Sequence, residues 1–145
     1  GYYPSREQPR KEKLYPVMEL RTRIIFLKKV PADTPLSYGS IYRTPAETLV
    51  ATVPVGYADG LNRRLSNRLE VTCRERTYTL AGRICMDLSM IDLGPDSDAR
   101  LYDEVTLFGP PPAASDAQTL ADLLDTIPYE ITCSVGGRIP RVYCD

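Results

Sequence analysis

The chain has 145 residues, with 18 lysines and arginines against 19 aspartates and glutamates, and no histidine. That length suits one domain able to bury a core without disulfide staples. The near-neutral balance argues against a nucleic-acid footprint or a polybasic membrane patch. No apolar run approaches the ~18 residues of a membrane span, and without histidine there is no self-contained Ser-His-Asp or Cys-His catalytic unit.

Cys73, Cys85, Cys133 and Cys144 form no Cys-x-x-Cys pair, so a metal site built from these residues is not expected. Two disulfides are compatible with four thiols, but reduced thiols of a cytoplasmic protein are the favoured reading. Gly1-Tyr2-Tyr3-Pro4-Ser5 lacks the hydrophobic core of a signal peptide.

Residues 4–13 are polar and charged and read as a linker or exposed loop, leaving 14–145 as the folded domain. Met18 to Ile24 alternates apolar and polar residues, which predicts a half-buried strand running on through Ile25-Phe26-Leu27. Glu47–Val53 is a second β-rich run, closed by Pro54 and Gly56. Leu69–Cys73 and Thr77–Leu80 flank the charged turn Arg74-Glu75-Arg76 and predict a hairpin. Met90–Leu93, Glu104–Phe108, Tyr129–Cys133 and Arg141–Tyr143 complete the predicted strands. One helix is predicted: Ser115 with Gln118 forms a capping-box pattern, Ala117, Leu120, Ala121 and Leu124 recur at helical spacing, and the run ends near Asp125. The expectation is a mainly β, antiparallel, barrel-like domain of about eight strands with one short helix.

Four non-periodic segments carry the chemistry: Ser37–Tyr42, Pro54–Gly60, Gly82–Asp87 and Thr126–Glu130. Taken singly, each residue has a bland explanation. A tyrosine beside glycine usually packs and satisfies its hydroxyl on the backbone. Gly56 and Gly60 supply turn geometry. Asp59 and Asp87 suit turns or caps, and Arg83 beside Asp87 suits a rim ion pair of little energetic worth.

Together, in order and spacing, the segments Leu36–Tyr42, Pro54–Gly60 with Arg63 and Arg64, Gly82–Asp87, Asp103–Gly109, Thr126–Glu130 and Arg138–Arg141 closely resemble the alanine racemase C-terminal domain. The resemblance spans essentially the whole chain. It implies that an N-terminal (β/α)8 barrel holds pyridoxal 5'-phosphate on a lysine, so the cofactor is not expected on this domain. It also implies a homodimer in which this domain faces the partner subunit's barrel. Residues 1–13 would be the crossover from that barrel. The implied activity is interconversion of L- and D-alanine, which supplies D-alanine for peptidoglycan.

By resemblance, Tyr38 is the catalytic phenol on one face of the substrate. The Met86 main-chain N–H meets the substrate carboxylate, Tyr57 and Asp87 stand at the channel mouth, and Arg63, Arg83 and Ile127 line the channel. Tyr129 contacts the cofactor phosphate and limits room beside the substrate methyl, which favours alanine over serine. A free phenol, pKa ~10, is a poor base at neutral pH, so groups outside this chain must tune it. No metal is implied. The alternatives are the same domain of a serine or broad-specificity racemase, and a non-catalytic β-barrel binding module. Two departures stand out: Tyr102 replaces a glycine usual in the family, and Ser134–Gly137 differs from the commoner stretch. Both look structural.

Overall fold

The computed structural model describes residues 1–4 and 12–144. Most of the predicted 4–13 linker therefore lies outside the described residues. Among these described residues, nine strands, β1 Leu20–Arg23, β2 Phe26–Val30, β3 Pro35–Leu36, β4 Tyr42–Arg43, β5 Thr48–Val53, β6 Glu70–Cys73, β7 Arg76–Thr79, β8 Ser89–Asp92 and β9 Glu104–Phe108, are followed by the helices α1 Ala117–Leu124 and α2 Pro128–Ser134. All strand pairs are antiparallel. They form a four-stranded sheet β1-β9-β6-β7, a three-stranded sheet β2-β5-β8 and a two-stranded ladder β3-β4. A bridge between Leu80 and Ile91 joins the two larger sheets. The mainly β expectation holds, but no closed barrel is detected among the described residues.

The predicted strand through 18–27 is two strands in two sheets. Ile24 N–H donates to Asp103 O at 3.0 Å, on the β1-β9 side, whereas Ile25 N–H donates to Thr52 O at 2.9 Å, on the β2-β5 side. Ile24 is fully buried and Ile25 exposed where the chain crosses between sheets. β6 alternates in burial and points Val71 and Cys73 into one core with Ile91, Val105 and Leu107; β5 is buried on both faces, with Ala51 and Val53 in that core and Val50 in a smaller cluster with Val30, Leu36 and Ala81. The apolar stripe of α1 (Ala117, Leu120, Ala121, Leu124) closes that core.

Two helices form where one was predicted. Tyr129–Cys133 was expected as a strand because it is rich in β-formers, but it lies in α2. Pro128 sits in the first turn, where its missing N–H costs nothing, and Ile127 before it is extended (φ −113, ψ 150). Packing of Ile131 into the core overrides the local β preference. The cap of α1 is Asp116 rather than Ser115: Asp116 Oδ1 accepts from Thr119 N–H at 2.8 Å, while Ser115 Oγ donates to Glu70 O. Arg141–Tyr143 forms no strand. Arg141 instead donates to the Val135, Gly136 and Ile139 carbonyls beyond α2.

Tyr102 enters β9 in the left-handed region, φ 70, with its side chain 68% exposed and its N–H donating to Ile24 O at 2.8 Å. All four cysteines are free. Among the described residues no helix is long and apolar enough to cross a membrane.

Candidate functional site

Tyr38, Tyr57, Arg83, Met86 and Asp87 sit where backbone ladders end, in connecting segments held by specific hydrogen bonds, whereas Tyr129 lies in α2. The Tyr38 loop leaves β3 at Ser37 and returns to β4 at Tyr42. Tyr38 opens a 3₁₀ turn, Tyr38–Ser40, and its side chain is 73% exposed. Ser37 Oγ donates to Arg83 O at 2.7 Å and lies 3.5 Å from Cys85 Sγ. Tyr42 fixes the other end by donating to Asp92 Oδ2 at 2.7 Å. Burial, and then the hydrogen bond to Asp92, push the Tyr42 phenol up to about 12.

The Gly82–Asp87 loop runs directly beneath. Gly82 has φ 83, and a Cβ there would lie 2.8 Å from Ser37 Cβ, so only glycine permits this approach. Arg83 covers Gly39: a Cβ on Gly39 would lie 3.3 Å from Arg83 Nε. Tyr38 and Arg83, distant in sequence, therefore belong to one surface.

The Pro54–Gly60 loop is laced to the same segment. Tyr57 N–H donates to Cys85 O and Ala58 N–H to Met86 O, each at 3.0 Å. Gly56 is obligatory, since a Cβ would lie 2.2 Å from Cys85 O. Tyr57, Met86 and Asp87 are thus neighbours, with Tyr57 and Met86 about half exposed.

Asp59 behaves as more than a turn residue. It is 3% exposed, its Oδ2 accepts from Gly56 N–H at 3.0 Å, and its Oδ1 pairs with Arg138 Nε at 3.3 Å. Arg138 also meets Asp87 Oδ1 at 2.7 Å, so the partner of Asp87 is Arg138, not Arg83. Asp87, hydrogen-bonded to it, and then Asp59 hold the Arg138 guanidinium above its ordinary range.

Arg63 and Tyr57 line one cleft of about 530 Å³, with Gly60, Ile131 and Ser134. Ile127 and Tyr129 form a separate group at the start of α2. Ile127 lines a smaller cleft with Pro128, and the Tyr129 hydroxyl donates to Tyr2 O at 3.1 Å. Sequence reasoning did not single out Ser37, Ser66, Asn67 or Arg138 as site residues. Only Arg138 carried a usable signal, its place in the Arg-x-Pro-Arg segment.

Fold and loops together define a β-domain that presents a phenol and main-chain groups outward, on loops tied to one another. Residues 17–143 match the family described as alanine racemase, C-terminal domain. The chain is 50% identical over 147 residues to the alanine racemase of Desulfosudis oleivorans, covering all of this chain and 38% of that protein. It is 44% identical to that of Treponema denticola, covering all of this chain and 39% of the relative. Alanine racemase from Clostridium difficile 630 superposes with a TM-score of 0.91 at 37% identity, covering 99% of this chain and 37% of the other. The Bacillus anthracis alanine racemase with bound L-Ala-P gives 0.91 at 35% identity, covering all of this chain and 38% of that one. The chain belongs to the alanine racemase C-terminal domain family. It spans less than two fifths of the length of these relatives.

Proposed function

We propose that this chain is the substrate-facing β-domain of an alanine racemase and works with a cofactor-bearing (β/α)8 barrel from the partner subunit of a homodimer. The observation that carries this reading is the exposed Tyr38 phenol, held on a turn whose two ends are fixed by Ser37 and Tyr42. Racemisation removes a proton from one face of the substrate α-carbon and returns one to the other, so it needs a proton-exchanging group on each face. Tyr38 serves the L-alanine face. The Met86 main-chain N–H takes the substrate carboxylate, with Tyr57 and Asp87 beside it and Arg63, Arg83 and Ile127 along the channel.

Of the residues here, Tyr129 suits a share in holding pyridoxal 5'-phosphate: its hydroxyl has one proton, now donated to Tyr2 O at 3.1 Å, and would turn it from that carbonyl to the phosphate. When bound, the cofactor takes up the electron pair left as the α-proton departs. Tyr129 also narrows the space beside the substrate methyl, which favours alanine over serine.

The test uses Tyr38→Phe in the full-length enzyme. The ring keeps its packing but cannot exchange a proton, so racemisation falls by about 10²–10⁴. In deuterated water the variant still exchanges the α-hydrogen of D-alanine with retention, far faster than that of L-alanine. Equal exchange from both enantiomers, near the unmodified rate, would remove Tyr38 from the chemistry.

A further inference from the structure

We infer that Asn67 is a positioning residue that sets the two site loops against each other and so holds the Tyr38 hydroxyl in register with the Met86 main chain. This rests on the reading of Tyr38 and Met86 given above. Asn67 belongs to neither loop. It follows the 3₁₀ turn Arg63–Leu65 and has a left-handed backbone, φ 57, which asparagine adopts more readily than most residues.

Both ends of its side-chain amide are in use. Oδ1 accepts from Gly82 N–H at 2.6 Å, and Nδ2 donates to Ile41 O at 3.1 Å. The partners fix the orientation of the amide, because a reversed amide would set donor against donor and acceptor against acceptor. One rigid planar group therefore spans from the loop that carries Tyr38 to the loop that carries Met86. Ser66 adds a second tie from the same segment: its Oγ accepts from Ile84 N–H at 3.0 Å and donates to Arg63 O at 2.6 Å. The direct contact between the loops, Ser37 Oγ to Arg83 O, completes a triangle with Asn67 at one corner.

The geometry matters because proton transfer needs heavy atoms within about 2.6–3.2 Å, and a misplacement of about 1 Å can cost about 100-fold in rate. Main-chain recognition of a carboxylate by Met86 has the same demand, since its donor cannot adjust a rotamer.

The test uses the full-length holoenzyme with Asn67→Asp. The carboxylate still accepts from Gly82 N–H but opposes its charge to the Ile41 carbonyl, so it releases the Tyr38 loop and leaves the Met86 loop held. The expected result is a fall of about 10-fold or more in α-hydrogen exchange from L-alanine in deuterated water, with D-alanine exchange and the alanine KM within about twofold. Asn67→Gly suits the left-handed backbone but removes both ties, so it should lower L-alanine exchange and raise KM. It decides the matter if the aspartate variant does not fold. Equal slowing of both faces, or no change in either variant, would overturn the inference. Tyr38→Phe is run alongside. A face preference in Tyr38→Phe but not in the Asn67 variants rejects Asn67 alone, whereas no preference in Tyr38→Phe overturns the Tyr38 reading and this inference with it.

Discussion

At the scale of single residues, the departure at Tyr102 has a measurable energetic meaning. A left-handed backbone costs a residue with a Cβ about 1–2 kcal/mol, and glycine gives back about 0.5–1 kcal/mol through its freer unfolded chain. Tyr102 has φ 70 and a largely exposed ring, so little packing offsets the strain. Tyr102→Gly should therefore raise the stability of this chain by about 0.5–1 kcal/mol, whereas Tyr102→Ala keeps the strain and should change it by under about 0.5 kcal/mol. Urea denaturation measures both, and a glycine variant no more stable than the alanine variant would refute the strain argument. The residue was visible in the sequence as an unusual tyrosine. Its conformation was not, because only the neighbouring ladder, through the bond from its N–H to Ile24 O, sets φ.

Among the elements, the short β3-β4 ladder depends on ties to the larger sheets. Tyr42 donates to Asp92 in β8, and Asp92 Oδ1 also accepts from Thr48 Oγ1 and from Gly94 N–H. The folded-state value of Tyr42, about 12, lies above its ordinary 10.0. A raised value means that the stabilisation is complete below pH 10 and is lost as pH rises towards 12. Tyr42→Phe should cost about 1–2 kcal/mol at neutral pH, and the gap to the unmodified chain should close across that alkaline window. Denaturation curves at stepped pH check it, and a gap constant to the top of the window would show that folding does not raise the Tyr42 phenol.

These elements also show what periodicity could and could not reveal. β5, the β6-β7 hairpin, β8 and β9 were legible because each alternates or is flanked by turn residues. β3 and β4, two residues each, are too short to carry a period. The run from Met18 to Ile24 alternates and passes without a break into the apolar Ile25-Phe26-Leu27, and only its partners, β9 and then β5, reveal that the chain changes sheets. α2 was misread because Tyr, Ile and Thr favour strands, although Pro128 followed by Glu130 in the first turn was the available helix signal. The candidate loops stood out as non-periodic runs, but Asn67 did not: an asparagine after Arg63-Arg64-Leu65-Ser66 resembles any turn residue until Gly82 and Ile41 are brought to it.

For the whole molecule, the exposure of Tyr38, Tyr57 and Met86 suits the proposed reading, in which another subunit's barrel covers them. The chain carries a phenol and main-chain donors, and on the proposed reading the cofactor and the group serving the second substrate face lie in the barrel. Incubated alone with pyridoxal 5'-phosphate and L-alanine, it should yield no D-alanine above background by chiral analysis. Turnover would mean that these loops suffice by themselves.

The pairing of β1 with β9 sets Leu20 opposite Phe108 and makes β1 an edge of its sheet. Contacts so distant in sequence form slowly, because a long loop must close before they yield any gain. During synthesis β1 emerges well before its partner exists, while the β6-β7 hairpin can form from neighbours. β1 therefore waits as an open strand, the kind of segment that recruits a second chain. Its exposed positions are Arg21 and Arg23. Charged side chains on an edge strand discourage a second copy from docking beside it. Arg21 already has a local partner, Glu19 at 2.6 Å, and in the finished sheet it also meets Glu104 of β9 at 2.8 Å. Arg21 thus joins a carboxylate beside its own strand to one on the far-distant β9, a clasp between the two strands.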